Sequence, residues 1–193
     1  GNAHQSAANF GIALIQHQRV IRIAPQSALG HFNLGRTLIE LDRQTEALDS
    51  HDCALQIDPE FAEAWLSKSM LLMLMERWHE GHQLFQWRFK TASWAFQHRS
   101  SQIPEYAGQD LSGKSIHLYP EQGFGDVIQF ARYASTLADK GAKVTLEVQP
   151  QLARIMSTID SRISVIRTGD DIGSPNFTLP LLSVPCAITL VSG

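Results

Sequence analysis

Residues 28–61 read ALGHFNLGRTLIELDRQTEALDSHDCALQIDPEF, and their likeness to the flanking segments decides the fold of the first half of the chain. Ala13, His17, Ile23 and Pro25 recur as Ala47, His51, Ile57 and Pro59. A third, degraded copy has Gly81 where alanine stood and Phe85 where histidine stood. A period of about 34 residues belongs to a helix-turn-helix unit stacked into a solenoid, each unit covering the apolar face of the next. Within the complete copy, Leu34, Gly35 and Leu38 fit one face of a first helix, and Ala47, Ala54 and Ile57 fit a face of a second. Small residues at 35 and 47 let the two backbones approach closely. Pro59 lacks a backbone donor, so it stops the second helix.

These residues resemble the tetratricopeptide repeat family, whose pattern of aromatic, Leu-Gly, alanine, aromatic, alanine and proline is met here by His31, Leu34, Gly35, Ala47, His51, Ala54 and Pro59. The two histidines replace aromatics and are expected to pack, each with one nitrogen satisfied. Such stacks form concave surfaces, so the resemblance implies a protein or peptide partner on the repeats. The flanking copies are incomplete. Asn9 to Ala24 matches only a second helix, which implies either an array that continues before Gly1 or an irregular cap formed by residues 1–5. Downstream, Trp65 takes the aromatic place, but Lys68 and Ser69 replace Leu-Gly and Arg88 replaces an alanine.

Phe85-Gln-Trp-Arg-Phe89, continuing to Trp94 and Phe96, reads as an aromatic seam packed between the solenoid and the next domain; the competing reading is a stacking platform for a sugar or base. His79-Glu-Gly-His82 is one residue short of the spacing that sets two zinc-binding imidazoles one helical turn apart, so a solvated helix face is expected and no metal.

The 193 residues suffice for two small domains, and the net charge of −3 supplies no basic field for nucleic acid. Cys53 and Cys186 stand far apart, which suits a reduced, cytoplasmic setting. The aliphatic run Met70 to Met75 is too short to span a bilayer.

The pattern changes after a polar, aperiodic stretch, residues 99–114, which reads as a linker between helical repeats at 1–98 and an α/β region at 115–193. Ser115 to Tyr119 reads as a buried strand, Asp126 to Lys140 as a helix with Ile128, Ala131, Ala134, Leu137 and Ala138 as its apolar positions, and Lys143 to Val148 as a second strand. A helix over Pro150 to Ile159 comes next, then strands at Ile163 to Ile166 and Phe177 to Leu182. Strands alternating with helices imply a parallel sheet. The expected fold is therefore α + α/β, a helical solenoid succeeded by a partial Rossmann-like parallel sheet.

The loop Glu121-Gln122-Gly123-Phe124-Gly125-Asp126 then lies at the carboxyl end of the first strand, where open α/β sheets bind ligands. Gly123 and Gly125 permit left-handed backbone or close ligand approach, and the helix after them offers free N–H groups. Asp126 has two readings. With Gln129 three residues on it is a capping box; alternatively it is a general base for an acceptor hydroxyl.

Residues 121–133, 141–150 and 180–185 are similar to a bacterial group that fuses tetratricopeptide repeats to a domain like glycosyltransferase family 9, the heptosyltransferase-like enzymes. That resemblance implies the GT-B fold, an inverting transfer from a nucleotide sugar, and Asp126 as the matching catalytic base. GT-B enzymes use a second domain to bind most of the nucleotide sugar. The expectation is thus an interaction module joined to an incomplete glycosyltransferase-like domain that is not catalytic alone, takes no cofactor and pairs with a second copy through an open sheet edge. The alternative is a fragment of an inverting glycosyltransferase that binds its nucleotide sugar with a missing domain. A further alternative, a dinucleotide-binding Rossmann domain, has Ile128 in place of its third glycine and Glu147 as the ribose carboxylate.

Overall fold

The 34-residue period folds into helical hairpins because each second helix must bury its small-residue face against the first. The computed structural model describes residues 2–95, 99, 102–121 and 123–189, and the chain divides into two units after Ala95. Among its described residues the first unit is helical: α1 (Asn2–Ile23), α2 (Ala28–Glu40), α3 (Gln44–Ile57), α4 (Ala62–Leu74), α5 (Trp78–Leu84) and a 3-10 stretch, Phe85–Lys90. Ser27 caps α2 by accepting from the Gly30 N–H at 3.1 Å. The short turns after α2 and α4 reverse the chain through left-handed residues at repeat-equivalent places, Asp42 (φ 57°) and Glu76 (φ 61°). Each is succeeded by the same ion pair, Arg43–Glu46 and Arg77–Glu80.

The centre of the complete hairpin is His51. Its ring is fully buried, shares a 3.0 Å hydrogen bond between Nε2 and Ser67 Oγ, and tilts against Phe32. A Cβ at Gly35 would come within 2.7 Å of its Cε1, so only glycine leaves room for the imidazole. The degraded copy reaches the same closeness by other means. Ser69 Oγ donates to the Gly81 carbonyl at 2.8 Å, and a Cβ at Gly81 would meet Met73 Cγ at 2.5 Å. His31 also has one satisfied nitrogen, its Nε2 lying 3.0 Å from the Pro25 carbonyl.

The aromatic seam is half-buried against the first unit itself. Trp87 stacks on Trp65 with centroids 5.4 Å apart; Lys90 lies over Trp87 and Lys68 over Trp65. Ammonium groups therefore attend both rings of the stack. Arg88 is fully buried, its guanidinium 3.9 Å from the Phe89 centroid and 4.6 Å from that of Phe85. Trp94 meets Phe85 edge-on. Phe96 lies outside the described residues.

The second unit is a four-stranded parallel sheet in the order β3-β2-β1-β4, with β1 (Ser115–Tyr119), β2 (Lys143–Val148), β3 (Ser164–Arg167) and β4 (Phe177–Pro180). Its helices are α6 (Phe124–Phe130), α7 (Arg132–Asp139), α8 (Ala153–Met156) and α9 (Val184–Thr189), with a 3-10 turn at Leu181–Ser183. Ile116, Leu118, Val144, Leu146, Val148 and Leu179 form an apolar core with Val127, Ala131, Ala134 and Leu137 of the α6–α7 layer.

Four expectations need correction. The helix expected from Asp126 starts two residues earlier and breaks at Ala131; its core face runs through Val127, and Ile128 is 52% exposed. The helix expected over Pro150–Ile159 is a single turn, α8. The last strand ends at Pro180, where the chain enters the 3-10 turn. Among the described residues, the stretch expected as a linker over 99–114 is not free of the second unit. Thr178 N donates to the Pro104 carbonyl and Tyr106 N to the Thr178 carbonyl, both at 3.0 Å, so residues 104–106 extend the sheet beside β4. Tyr106 and Leu111 are buried.

Burial holds His51 at about 4, well below the ordinary histidine range. The unfolded chain therefore takes up a proton between pH 6.5 and 4 that the folded chain refuses. The stabilisation is complete above pH 6.5 and lost as the pH falls through this window, at most about 3 kcal/mol. His82 is shifted the same way by burial. In urea unfolding measured across pH 4–7, His51→Phe, which keeps a ring in the slot, is expected to remove most of this slope; a slope equal to that of the parent would refute the assignment.

Candidate functional site

The strand order locates the site. From β1 the chain runs through β2 to β3 on one side, then returns to place β4 on the other. The carboxyl ends of β1 and β4 therefore lie side by side, and the segments that leave them, α6–α7 and Leu181 to α9, pack into one core on the same face of the sheet; open α/β sheets bind ligands at such strand ends. The candidate site is where the chain leaves these strands, at Pro120, Glu121 and Gly123 after β1 and at the turn Leu181–Ser183 after β4.

Glu121 ties these two places together. It is buried, and its Oε2 accepts from the Leu182 N–H at 3.1 Å. Its side chain thus joins the loop after β1 to the turn after β4. Gln122 lies outside the described residues. Gly123 has φ −69° and ψ 177° and precedes the first residue of α6; neither it nor Gly125 adopts the left-handed conformation expected of them. A Cβ at either position would meet nothing within 4 Å. Among the described residues, then, neither backbone conformation nor packing demands glycine at 123 or 125, and both expose bare main chain after β1. The seven residues of α6 make a shorter dipole than the long helix expected.

Asp126 is not an N-cap. Gly123 occupies that place without a side-chain bond, so Asp126 falls in the first helical turn, where a negative charge is favourable. The capping box with Gln129 fails because the helix begins too early for it. Asp126 is half-buried, and among the described residues no hydrogen bond or ion pair engages its carboxylate.

The opposite, polar face of the sheet carries a second cluster. Pleating puts His117 and Tyr119 of β1, Glu147 of β2 and Thr178 of β4 on that face. Glu147 is buried; Arg99 grips it with two bonds of 2.7 and 2.9 Å, and His117 Nε2 lies 3.0 Å from Oε2. The other ring nitrogen of His117 faces Thr178 Oγ1 at 3.4 Å. Burial pushes Glu147 up, but the bonds from His117 and Arg99 and the charge of Arg99 outweigh it and hold the carboxyl at about 2. Burial drives the neighbouring Tyr119 hydroxyl up to about 12. Glu147 is therefore committed inside the sheet and cannot serve as a ribose carboxylate. The alternation Ser115-x-His117-x-Tyr119 was the available sign of a polar face; nothing local pointed to Arg99, 48 residues from its partner.

Among the described residues there is no group of His, Cys, Asp and Glu able to hold a metal ion, and no helix long and apolar enough to cross a membrane.

No family model matches the chain. Protein FlbA of Caulobacter vibrioides is 26% identical over 153 residues, which are 75% of this chain and 25% of FlbA. The chain thus spans a quarter of the length of that curated relative. Among solved structures, the TPR2B-domain:pHsp70 complex of yeast Sti1 is similar at 22% identity, with 48% of this chain and 75% of that one covered and a TM-score of 0.42. An O-GlcNAc transferase mutant from Thermobaculum terrenum is similar at 17% identity, with 85% of this chain and 32% of that one covered and a TM-score of 0.40.

Because Glu147 is held near 2, its contribution is complete above pH 4.5 and lost as the pH falls towards 2. Glu147→Gln is expected to cost about 2 kcal/mol at neutral pH and to flatten the acid limb of the second unit below pH 4.5. Parent-like stability across pH 2–7, measured by denaturant unfolding, would refute the network.

Proposed function

We propose that this chain is a peptide-binding helical-repeat module joined to a glycosyltransferase-like α/β unit. The observation that carries the first part is a row of exposed side chains on the first helices of successive hairpins. Arg36 and Met70 hold equivalent places in the repeat, as do Glu40 and Leu74. Equivalent positions share one surface of a stack. All four are exposed, Met70 by 56% and Leu74 by 60%. The surface is charged on α2 and apolar on α4, which suits an amphipathic peptide with apolar side chains over Met70 and Leu74 and polar groups beside Arg36 and Glu40. Peptides selected against the purified chain from a display library are expected to bind at least about tenfold more weakly to Met70→Glu/Leu74→Glu, with the unfolding midpoint unchanged because both residues are exposed. Undiminished binding would place the partner elsewhere.

A second reading rests on Asp126. In this reading an acceptor hydroxyl sits at the ends of β1 and β4, Asp126 takes its proton, and the bare backbone at Gly123 and Gly125 admits the sugar closely. The likeness of residues 121–133 to glycosyltransferase family 9 supports it. With the intact protein and a panel of nucleotide sugars, Asp126→Asn is expected to lower transfer by about 100-fold or more with little change in donor KM. Transfer that survives the substitution would leave the binding module as the function.

A further inference from the structure

The carboxyl ends of β2 and β3 enclose a second cleft, lined by Pro150, Ala153, Arg154, Val165, Arg167 and Asp170. We propose that it is a binding site for a phosphomonoester, held between Arg154 and Arg167.

The two guanidiniums come from different elements, Arg154 from α8 and Arg167 from the last position of β3. Both side chains are exposed, and among the described residues neither guanidinium has a hydrogen bond or ion pair. That distinguishes them from Arg43, Arg77, Arg99 and Arg162, each of which grips a carboxylate. A guanidinium offers a rigid fork of donors, and two forks from different directions match a tetrahedral dianion better than a planar monocarboxylate, which one fork satisfies.

The frame around Arg167 is rigid. Its register partner is Val148, and the next residue, Thr168, donates its N–H to the Val148 carbonyl at 2.8 Å. The carboxylate of Asp170 turns onto the main chain, its Oδ2 accepting from the Arg167 N–H at 2.8 Å, and Gly169 (φ 99°) makes the bend that allows this. The acidic residue in the lining of the cleft is thereby engaged in shaping its rim. Leu152 and Met156, on either side of Arg154, are buried and anchor α8. Between the arginines, Pro150, Ala153 and Val165 form a small apolar floor able to meet the organic part of the ester. Neighbouring strands lie about 4.8 Å apart, so β3, which carries Arg167, stands two spacings, about 10 Å, from β1. The site stands whether or not Asp126, beyond the end of β1, takes part in sugar transfer.

The test is titration of the isotopically labelled chain with glucose 1-phosphate, with glucose as the control, read out by backbone amide shifts. Saturable shifts at residues 150–154 and 165–170 are expected for the phosphate alone. Arg154→Gln/Arg167→Gln should weaken the binding about tenfold or more, whereas Arg162→Gln, which removes an already paired arginine, should leave it unchanged. A second arm replaces the soluble ester with phosphatidylcholine vesicles containing phosphatidic acid. Arginine-dependent binding in either arm supports the site and tells a free phosphomonoester from a lipid headgroup. Shifts that do not saturate, or that respond equally to Arg162→Gln, together with vesicle binding indifferent to Arg154 and Arg167, overturn it.

Discussion

The slot between Gly35 and His51 sets the geometry of the repeat. An imidazole that is fully buried and lies 2.7 Å from where a Cβ would stand at residue 35 leaves no alternative spacing for α2 and α3. Because Ser67 of α4 shares the hydrogen bond of the same ring, one side chain joins three helices. The next hairpin changes all three residues of this arrangement yet still packs closely. Ser69 replaces the glycine, Gly81 the alanine and Phe85 the histidine, and a serine-to-carbonyl bond now makes the closest approach. Close-packed interiors respond to summed volume and satisfied polar groups more than to identity, so the copy that looks degraded in the sequence still packs.

The α/β unit is organised by the difference between the two faces of its sheet. One face is aliphatic and covered by α6 and α7. The other holds Glu147, His117, Thr178 and Tyr119, a composition that would be costly to bury were the groups not paired. Arg99 completes the pairing, and the strand-like segment 104–106 joins the sheet beside β4. What reads as linker is drawn into the fold because a buried carboxylate needs a cation and an edge strand needs hydrogen-bond partners.

The candidate site was legible in part. A glycine-bounded loop ending in an acidic residue, after a strand and before a helix, pointed to residues 121–126 and to Asp126 in particular. The roles within it were less legible. Glu121 and Glu147 look like exposed ligands in a linear reading because each stands near a strand end; in the structure each is buried against a group distant in the chain, Leu182 in one case and Arg99 with His117 in the other. Asp126 moved the opposite way, from an expected cap to a carboxylate with no described partner, because α6 starts at Phe124.

The sequence by itself determined the helical hairpins, through a 34-residue period, and the strands β1 to β3, through short apolar runs broken by turns. Both are local patterns, set by which side chains share a face over a few residues. Only the tertiary structure decided the order β3-β2-β1-β4, and with it the placing of the carboxyl ends of β1 and β4 side by side. It alone joined residues 99 and 147, 117 and 178, and 121 and 182. The physical reason is the same in each case. Pairing between distant segments depends on which buried polar groups find partners once the core has closed, and that choice leaves no periodic trace along the chain.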